Sequence, residues 1–521
     1  MGDLRFTVPE TQDFDPRVWD TAYITGIEGI PWHCHSRLDG SQFTIGREID
    51  ESGKLNIVWP TRQFGNISLS TTSLRISDSS YALSVELARG TVNRLRNQTS
   101  EWQRVGLRLP DKFFPLAEDA LSLLLRAVTA APDSSQQLAA AQKSIDLAIE
   151  ASVLLCNTFA AQSLEARRQS EGRLSTLLGV ELAPASPLAP FHDALQKTFN
   201  LLCVPADFGA VESSSGKPDY DPFDRQVDWA QRANKKICVG PLVNFRTGGL
   251  PQWMVLLDEG FESILQGACE FARATVERYR GRVHIWNAAA GLNVPNGLDW
   301  SDEEVLRMAV SLIETVRRAD DRCPVLLTID QPWSEYLRND ANGISPLHFA
   351  DALIRADLGL SGLALDLTMD THPGGTFPRD PVEINRLIDR WSMLGLPLMV
   401  ILNSPTDQPP LDGEVRASST SNRESADKGT VDCDTVDRDP LNSSEVRLAP
   451  RVSEWTTDAK RRGQIAPDTI VRLLLSKPSV HALIWNNRMV DDTQSRSLWD
   501  TAGKAKPLLN SLAALRKVLL H

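Results

Sequence analysis

From about residue 173 onward, short apolar runs alternate with amphipathic segments. Pro324-Val-Leu-Leu-Thr-Ile-Asp330 is almost continuously apolar, the pattern of a parallel strand buried on both faces. It follows Ser301-Asp-Glu-Glu304, a capping box, with Val305, Met308, Ala309, Leu312, Ile313 and Val316 at helical spacing. The next unit repeats the order. Asp380-Pro381 opens a helix carrying Ile384, Leu387, Ile388 and Trp391, Gly395 ends it, and Pro397-Leu-Met-Val-Ile-Leu402 follows as a strand. Candidate strands fall near 177–182, 199–204, 236–243, 282–287, 324–330, 361–366, 397–403 and 480–486. Eight βα units predict an α/β fold of the TIM (β/α)8 barrel type. A doubly wound parallel sheet is the alternative, and no Gly-rich phosphate loop follows any strand to support it.

Upstream the pattern changes twice. Residues 1–78 alternate apolar and polar as β-strands do: Phe43-Thr-Ile45 and Leu55-Asn-Ile57 flank Asp50-Glu-Ser-Gly53, which has hairpin chemistry, and Ile67-Ser-Leu69 and Leu74-Arg-Ile76 follow. A β-sandwich-like domain is expected there. Residues 79–172 read as helices, with Leu83, Leu87 and Leu95 in the first and Pro115 opening the second. After Pro132-Asp133 a long third helix runs to about Arg168, and the three together are expected to act as a structural brace. The barrel then takes 173–521. Inside it, residues 406–454 lack aromatics, Ile and Met and are rich in Ser, Thr, Asp and Arg, so a polar, at least partly disordered insertion between the seventh and eighth strands is expected. It is either a lid over the mouth or an inert solvated segment.

Charge and cysteines narrow the class. Lys+Arg 55 against Asp+Glu 67 leaves −12, which argues against a nucleic-acid partner. No apolar run approaches a membrane span, so no membrane partner is expected. The seven cysteines are widely spaced and form no C-x-x-C pair. That pattern, with no visible signal peptide, suggests a cytoplasmic protein with reduced thiols. His33-Cys34-His35 is a weak metal candidate, because strand alternation sends Cys34 away from the two imidazoles. Neither a metal nor a cofactor is expected.

Several strings resemble glycoside hydrolase family 10, the retaining endo-β-1,4-xylanases. Tyr279-Arg-Gly-Arg-Val-His-Ile-Trp286-Asn287 resembles that family's R-Y-x-G-x-x-x-x-W-D at the fourth strand. Gly216-Lys-Pro-Asp-Tyr-Asp-Pro-Phe-Asp-Arg-Gln-Val-Asp-Trp229-Ala230 resembles the segment after the second strand, and Leu250-Pro-Gln-Trp253 the L-P-x-W after the third. Trp485 and Leu498-Trp-Asp, with Lys506-Pro507, resemble its C-terminal end. The resemblance spans roughly 173–521 and implies a barrel of carbohydrate metabolism with an oligo- or polysaccharide partner.

The residues that would do the chemistry differ. The family's fourth strand ends W-D-V-V-N-E, its last Glu the general acid/base; this chain reads Trp286-Asn-Ala-Ala-Ala290-Gly291. At the seventh strand, Leu402, or Asn403 with a one-residue slip, stands at the nucleophile's place. The third strand has Pro241 and Phe245 where the family has His and Trp, and the sixth has Asp366 and Thr368 for Gln and His. At the second, Ala206-Asp207 stands for E-N. Neither Gly nor Leu can attack an anomeric carbon or transfer a proton, so the standard double displacement is not expected.

Polar residues at strand ends are the remaining candidates: Glu181, Asp207 with nearby Glu212, Asn244, Asn287, Asp330, Asp366 and Asn403. Asp330 and Asp366, on adjacent strands, could form a relocated acid/base pair, or cap the following loops instead. Trp253, Trp333 and Trp485 are candidate sugar platforms, core packing being the alternative. His372 lies in a loop at the functional face, whereas His284 and His481 lie within strands. Three functions follow: a non-hydrolytic glycan-binding or scaffold protein, a glycoside hydrolase with relocated carboxylates, or a structural or interaction protein. The sequence leaves the glycan and the oligomeric state open.

Overall fold

The computed structural model describes residues 2–8, 16–183, 191–257, 260–340, 343–369, 375–404, 465–487, 497–500 and 503–521. The polar segment 406–454 and His372 lie outside the described residues.

Seven strands come first: β1 (Gly2–Thr7), β2 (Tyr23–Thr25), β3 (His35–Asp39), β4 (Gln42–Arg47), β5 (Lys54–Pro60), β6 (Asn66–Ser70) and β7 (Tyr81–Ala82). They form two small sheets, ordered β3-β4-β1-β7 and β2-β5-β6. The hairpin expected around Asp50-Glu-Ser-Gly53 does not form. β4 pairs with β3 and β1, β5 with β2 and β6, so the segment crosses between sheets. The tight turn lies earlier, where Gly40 at φ 58° joins β3 to β4. Glycine at the end of a polar run was not enough to fix the pairing.

Three helices follow: α1 (Leu83–Arg104), α2 (Phe113–Thr129) and α3 (Ser135–Glu171). Ser134 caps α3 by accepting a hydrogen bond from Gln137 N. α3 lies against the barrel's outer helices: Arg167 Nη1 donates to Leu475 O at 2.8 Å, and Lys477 Nζ lies 5.2 Å from the Phe159 ring centroid.

The remaining strands are β8 (Leu177–Leu182), β9 (Leu201–Val204), β10 (Lys236–Val239), β11 (Val243–Asn244), β12 (Ile285–Asn287), β13 (Ala289–Ala290), β14 (Val325–Ile329), β15 (Gly362–Thr368), β16 (Leu398–Asn403) and β17 (Val480–Asn487). Eight of them close a parallel barrel in the order β10-β12-β14-β15-β16-β17-β8-β9, and β11 pairs with β13 at its rim. This is the TIM barrel, not the doubly wound sheet. The capping box at Ser301 forms as read.

Alternation sorts each strand into two faces. Leu201, Cys203, Cys238, Leu326, Ala364, Met399, Ile401, Ala482 and Ile484 make a cluster that fills the barrel. Leu365, Leu367, Val400, Leu402, Leu483 and Trp485 belong to the larger core shared with the helices. Continued upward, the inward series places Glu181, Asn287, Asp366, Thr368, Asn403 and Asn486 at the C-terminal mouth.

The N-terminal sheets and α1 are joined to the barrel by polar contacts around the loops after β14 and β15. Ser68 N donates to Pro378 O at 2.7 Å and Cys34 N to Arg338 O at 3.0 Å. Arg379 Nη2 donates to Tyr23 Oη and to Glu335 Oε1, both at 2.8 Å. Arg94, on α1, bridges Asp380 and Glu383 at 3.1 Å each. Tyr23, Glu335, Arg379, Arg94 and Asp380 are all buried.

Candidate functional site

Arg246 dominates the mouth. It follows β11, and its guanidinium reaches inward across the strand ends. Nε donates to Asp330 Oδ1 at 2.5 Å and Nη2 to Asp366 Oδ2 at 2.6 Å. Each carboxylate is also held by backbone: Gly291 N donates to Asp330 Oδ2, and Thr368 N to Asp366 Oδ1, both at 2.8 Å. Asn293 clamps the Asp330 backbone through Asp330 N and Asp330 O, at 2.9 and 2.8 Å. The Asp330 side chain is 1% exposed, that of Asp366 9% and that of Arg246 25%.

The electrostatics follow from that burial. Desolvation pushes the Asp330 carboxyl above the ordinary Asp range, and the Arg246 charge opposes the rise. Burial alone would lower the Arg246 pKa; Asp330 and Asp366 outweigh it and raise the value, so the guanidinium stays charged. The structure brings the two aspartates together, with a cation between them. Every oxygen of the two carboxylates already accepts a hydrogen bond from Arg246 or a backbone N–H, and a carboxylate so paired is a poor nucleophile.

The two places where the resemblance would put catalytic glutamates differ from one another. Gly291 lies at the mouth with φ 78°, and a Cβ built there would come within 2.4 Å of Arg246 N. The backbone at this point has no room for any side chain. Leu402, by contrast, does not face the mouth at all. It pairs with Leu367 and Trp485 on the outward face and packs among the helices. The inward residue is Asn403, the one-residue slip. Its Nδ2 donates to Asn486 O at 3.1 Å, and its Oδ1 is buried without a partner among the described residues. Thr368 Oγ1, on the strand-paired residue, is likewise buried and unpartnered.

The aromatic candidates separate. Trp485, 2% exposed, is part of the outward core, so the sugar-platform expectation is corrected to core packing. Trp333 is half-buried at the junction with the N-terminal sheets, where the Arg379 guanidinium lies 4.5 Å from its ring centroid and occupies one face. Trp253 is half-buried and edge-on to Phe208, its Nε1 donating to Glu212 O at 2.9 Å. Of the polar candidates, Asn287 pairs with Thr328 through Nδ2 at 2.8 Å, and Asn244 Oδ1 accepts from Arg246 N at 3.2 Å. Asp207 caps the short helix Phe208–Val211, accepting from Ala210 N at 2.9 Å.

His284 Nδ1 accepts from Ile237 N at 3.2 Å beside the barrel, and burial and the Lys236 charge lower its pKa. His481 is exposed at the opposite, N-terminal end of β17. Cys34 Sγ donates to Trp32 O at 3.0 Å, and only His35 of the His33-Cys34-His35 string lies in β3. Among the described residues no group of three or more His, Cys, Asp or Glu is placed to hold a metal.

Arg246 and Thr368's free hydroxyl are what sequence reasoning missed. An arginine just past the third strand was the available signal, since residues after a barrel strand at its C-terminal end face the mouth.

The fold and mouth thus define a (β/α)8 barrel with a sealed carboxylate pair. No family model and no curated protein matches the chain. Among solved structures it is similar to native xylanase 10B from Thermotoga maritima, at 12% identity and a TM-score of 0.43 over 69% of this chain and 98% of that one. It is also similar to xylanase 10B from Thermotoga petrophila RKU-1 in complex with xylobiose, at 12% identity and 0.43 over 70% and 98%. A glycoside hydrolase family 10 protein from Paenibacillus barcinonensis gives 16% and 0.42 over 69% and 98%.

Proposed function

We propose that this barrel is a family-10-like glycosidase relative that does not hydrolyse glycosides and instead binds a polyol or glycan weakly at its C-terminal mouth. The observation that carries the reading is the Arg246 bridge: the Asp330 and Asp366 carboxylates at the mouth share one guanidinium, so neither is left free. A retaining glycosidase needs two carboxyl groups about 5–5.5 Å apart, one free to attack and one to protonate. Gly291 supports the same reading, because its backbone conformation and the approach of Arg246 N leave no place for an acid/base side chain.

Binding is supported by Asn403 Oδ1 and Thr368 Oγ1, neighbours on β16 and β15 that are buried and without a partner among the described residues. Buried polar atoms are ordinarily satisfied, and a ligand hydroxyl supplies both a donor and an acceptor. With few stacking rings available, a dissociation constant of roughly 0.1–10 mM is the expected scale.

The test has two arms. Purified protein is assayed on xylan and aryl β-xylosides, and calorimetric titrations are run with xylo-, cello- and manno-oligosaccharides. The expected result is no turnover above blank, together with binding that Asn403→Ala weakens. Turnover abolished by Asp330→Asn would establish the relocated-carboxylate hydrolase instead. Absence of binding at millimolar ligand would leave the barrel a structural or interaction protein.

A further inference from the structure

A cavity of about 310 Å³ lies where the N-terminal sheets meet the loop after β14. Its floor is apolar: Ile30, from the loop after β2, packs against the small cluster that Leu337 forms with Val294 and Tyr336. Junctions between packed bodies are favoured places for small-ligand sites. The cavity is separate from the barrel mouth, since none of Arg246, Asp330, Asp366, Thr368 and Asn403 lines it.

The charges around it have one sign. Glu48, after β4, and Asp340, after β14, put two carboxylates on the wall, and among the described residues no Lys or Arg lines it. The remaining titratable groups of the wall are the imidazoles of His33 and His348, neutral in the formal charge at pH 7. The Glu48 carboxylate has no hydrogen bond or ion pair among the described residues. Behind Asp340, the Asp302 carboxyl is pushed above the ordinary Asp range by burial and by the Asp340 charge. Arg47 lies 5.1 Å from the Trp32 ring centroid, but it is itself in the field of Asp50, Asp3 and Glu51.

Two further observations point to an occupant. Trp32 lines the cavity as a fixed wall: a Cβ at Gly26 would come within 2.7 Å of its ring and one at Gly53 within 3.0 Å, so two glycines let the backbone close on the indole. Ser345 also lines the cavity and is only 5% exposed. Its Oγ caps the helix Pro346–Arg355 by accepting from His348 N at 3.2 Å, and its hydroxyl proton has no acceptor among the described residues. A buried hydroxyl ordinarily donates as well as accepts.

We propose that this cavity binds a small hydroxylated amine, an amino alcohol or amino sugar, whose ammonium is held by the Glu48 and Asp340 carboxylates and whose hydroxyl accepts from Ser345. The carboxylates supply charge-assisted acceptors, and Trp32 and Leu337 cover the carbon skeleton. No three ligating side chains converge here among the described residues, so the cation is organic and not a metal ion.

The test is calorimetric titration of the full chain at pH 7 and about 0.02 M ionic strength, with ethanolamine, D-glucosamine and ethylamine. Both hydroxylated amines are expected to bind with dissociation constants of roughly 0.1–10 mM, and ethylamine more weakly, because it leaves the Ser345 proton without an acceptor. Excess D-glucose should not displace ethanolamine. Glu48→Gln should weaken ethanolamine binding about two- to fivefold at an unchanged melting temperature, since Glu48 is exposed. Glu48→Gln combined with Asp340→Asn should weaken it about tenfold. No binding at about 10 mM ethanolamine or D-glucosamine, displacement by D-glucose, ethylamine binding as tightly as ethanolamine, or affinity indifferent to the Glu48 and Asp340 substitutions would each overturn the proposal.

Discussion

Replacing Arg246 by Met keeps most of the side chain's bulk and removes its charge. Asp330 and Asp366 would then be two buried carboxylates, 1% and 9% exposed, facing each other without a cation. Breaking a buried ion pair by deleting one partner costs about 3–5 kcal/mol. The lower end is expected here, since Gly291 N and Thr368 N still donate to the two carboxylates. The loss should depend on pH, with a definite sign. In the parent, Arg246 opposes the upward push of burial on Asp330. In the variant that opposition is gone, so the folded pKa of Asp330 rises further above the unfolded Asp value of about 3.9. The variant's stability is then fully present below that value and falls as pH rises through the folded pKa of Asp330. Urea unfolding followed by tryptophan fluorescence should show a small deficit near pH 4.5 that widens toward pH 7.5. Adding Asp330→Asn and Asp366→Asn should recover most of the loss and flatten the pH dependence. A deficit under about 1 kcal/mol, or one that is constant with pH, would refute the claim that the guanidinium compensates buried carboxylates.

Gly291→Ala is expected to destabilise by at least about 1–3 kcal/mol, the range for forcing a side chain into a strained backbone region, and Gly291→Glu to yield no hydrolysis; thermal melts and a xylan assay check both. Trp485→Phe should cost under about 1.5 kcal/mol and Trp485→Ala about 3–5, neither altering oligosaccharide affinity at the mouth, as calorimetry would show. Arg94→Met should destabilise by about 3–5 kcal/mol because Asp380, 2% exposed at its side chain, loses its cation, while a paired Asp380→Asn should restore part of it; a double-mutant cycle by urea unfolding measures the coupling.

The barrel was legible because its strands are buried on both sides and so read as apolar runs: Pro324–Ile329 and Pro397–Leu402 carry almost no polar residue. The same property hid the orientation of each side chain. Where both faces are apolar, alternation leaves no mark, so Leu402 and Trp485 could be placed at strand ends but not on a face. Size gave a partial clue, since Ala482, Ile484 and Asn486 fit inside a narrow barrel and Trp485 does not. Asp330 and Asp366 were found from strand position alone. Their partner was not, because Arg246 reaches them from a loop 84 and 120 residues away in sequence. The N-terminal pairing failed for the reason strand pairing generally does: Asp50–Gly53 has turn composition whether its flanks meet each other or separate sheets.

The ties between the N-terminal sheets and the barrel bear on how the chain is made. Tyr23 and Arg94 are buried against Arg379 and Asp380, 356 and 286 residues further along. During synthesis at about 5–20 residues per second, Arg94 waits roughly 15–60 s for its counter-charge. Until then the face of Arg94 that the loop after β15 covers stays in water. The side of α1 and of the N-terminal sheets that the barrel covers is therefore exposed for tens of seconds on the ribosome. Chaperone occupancy should fall only once the loop after β15 has emerged, and synonymous codons that slow translation before Arg379 should raise aggregation without changing a single residue of the product.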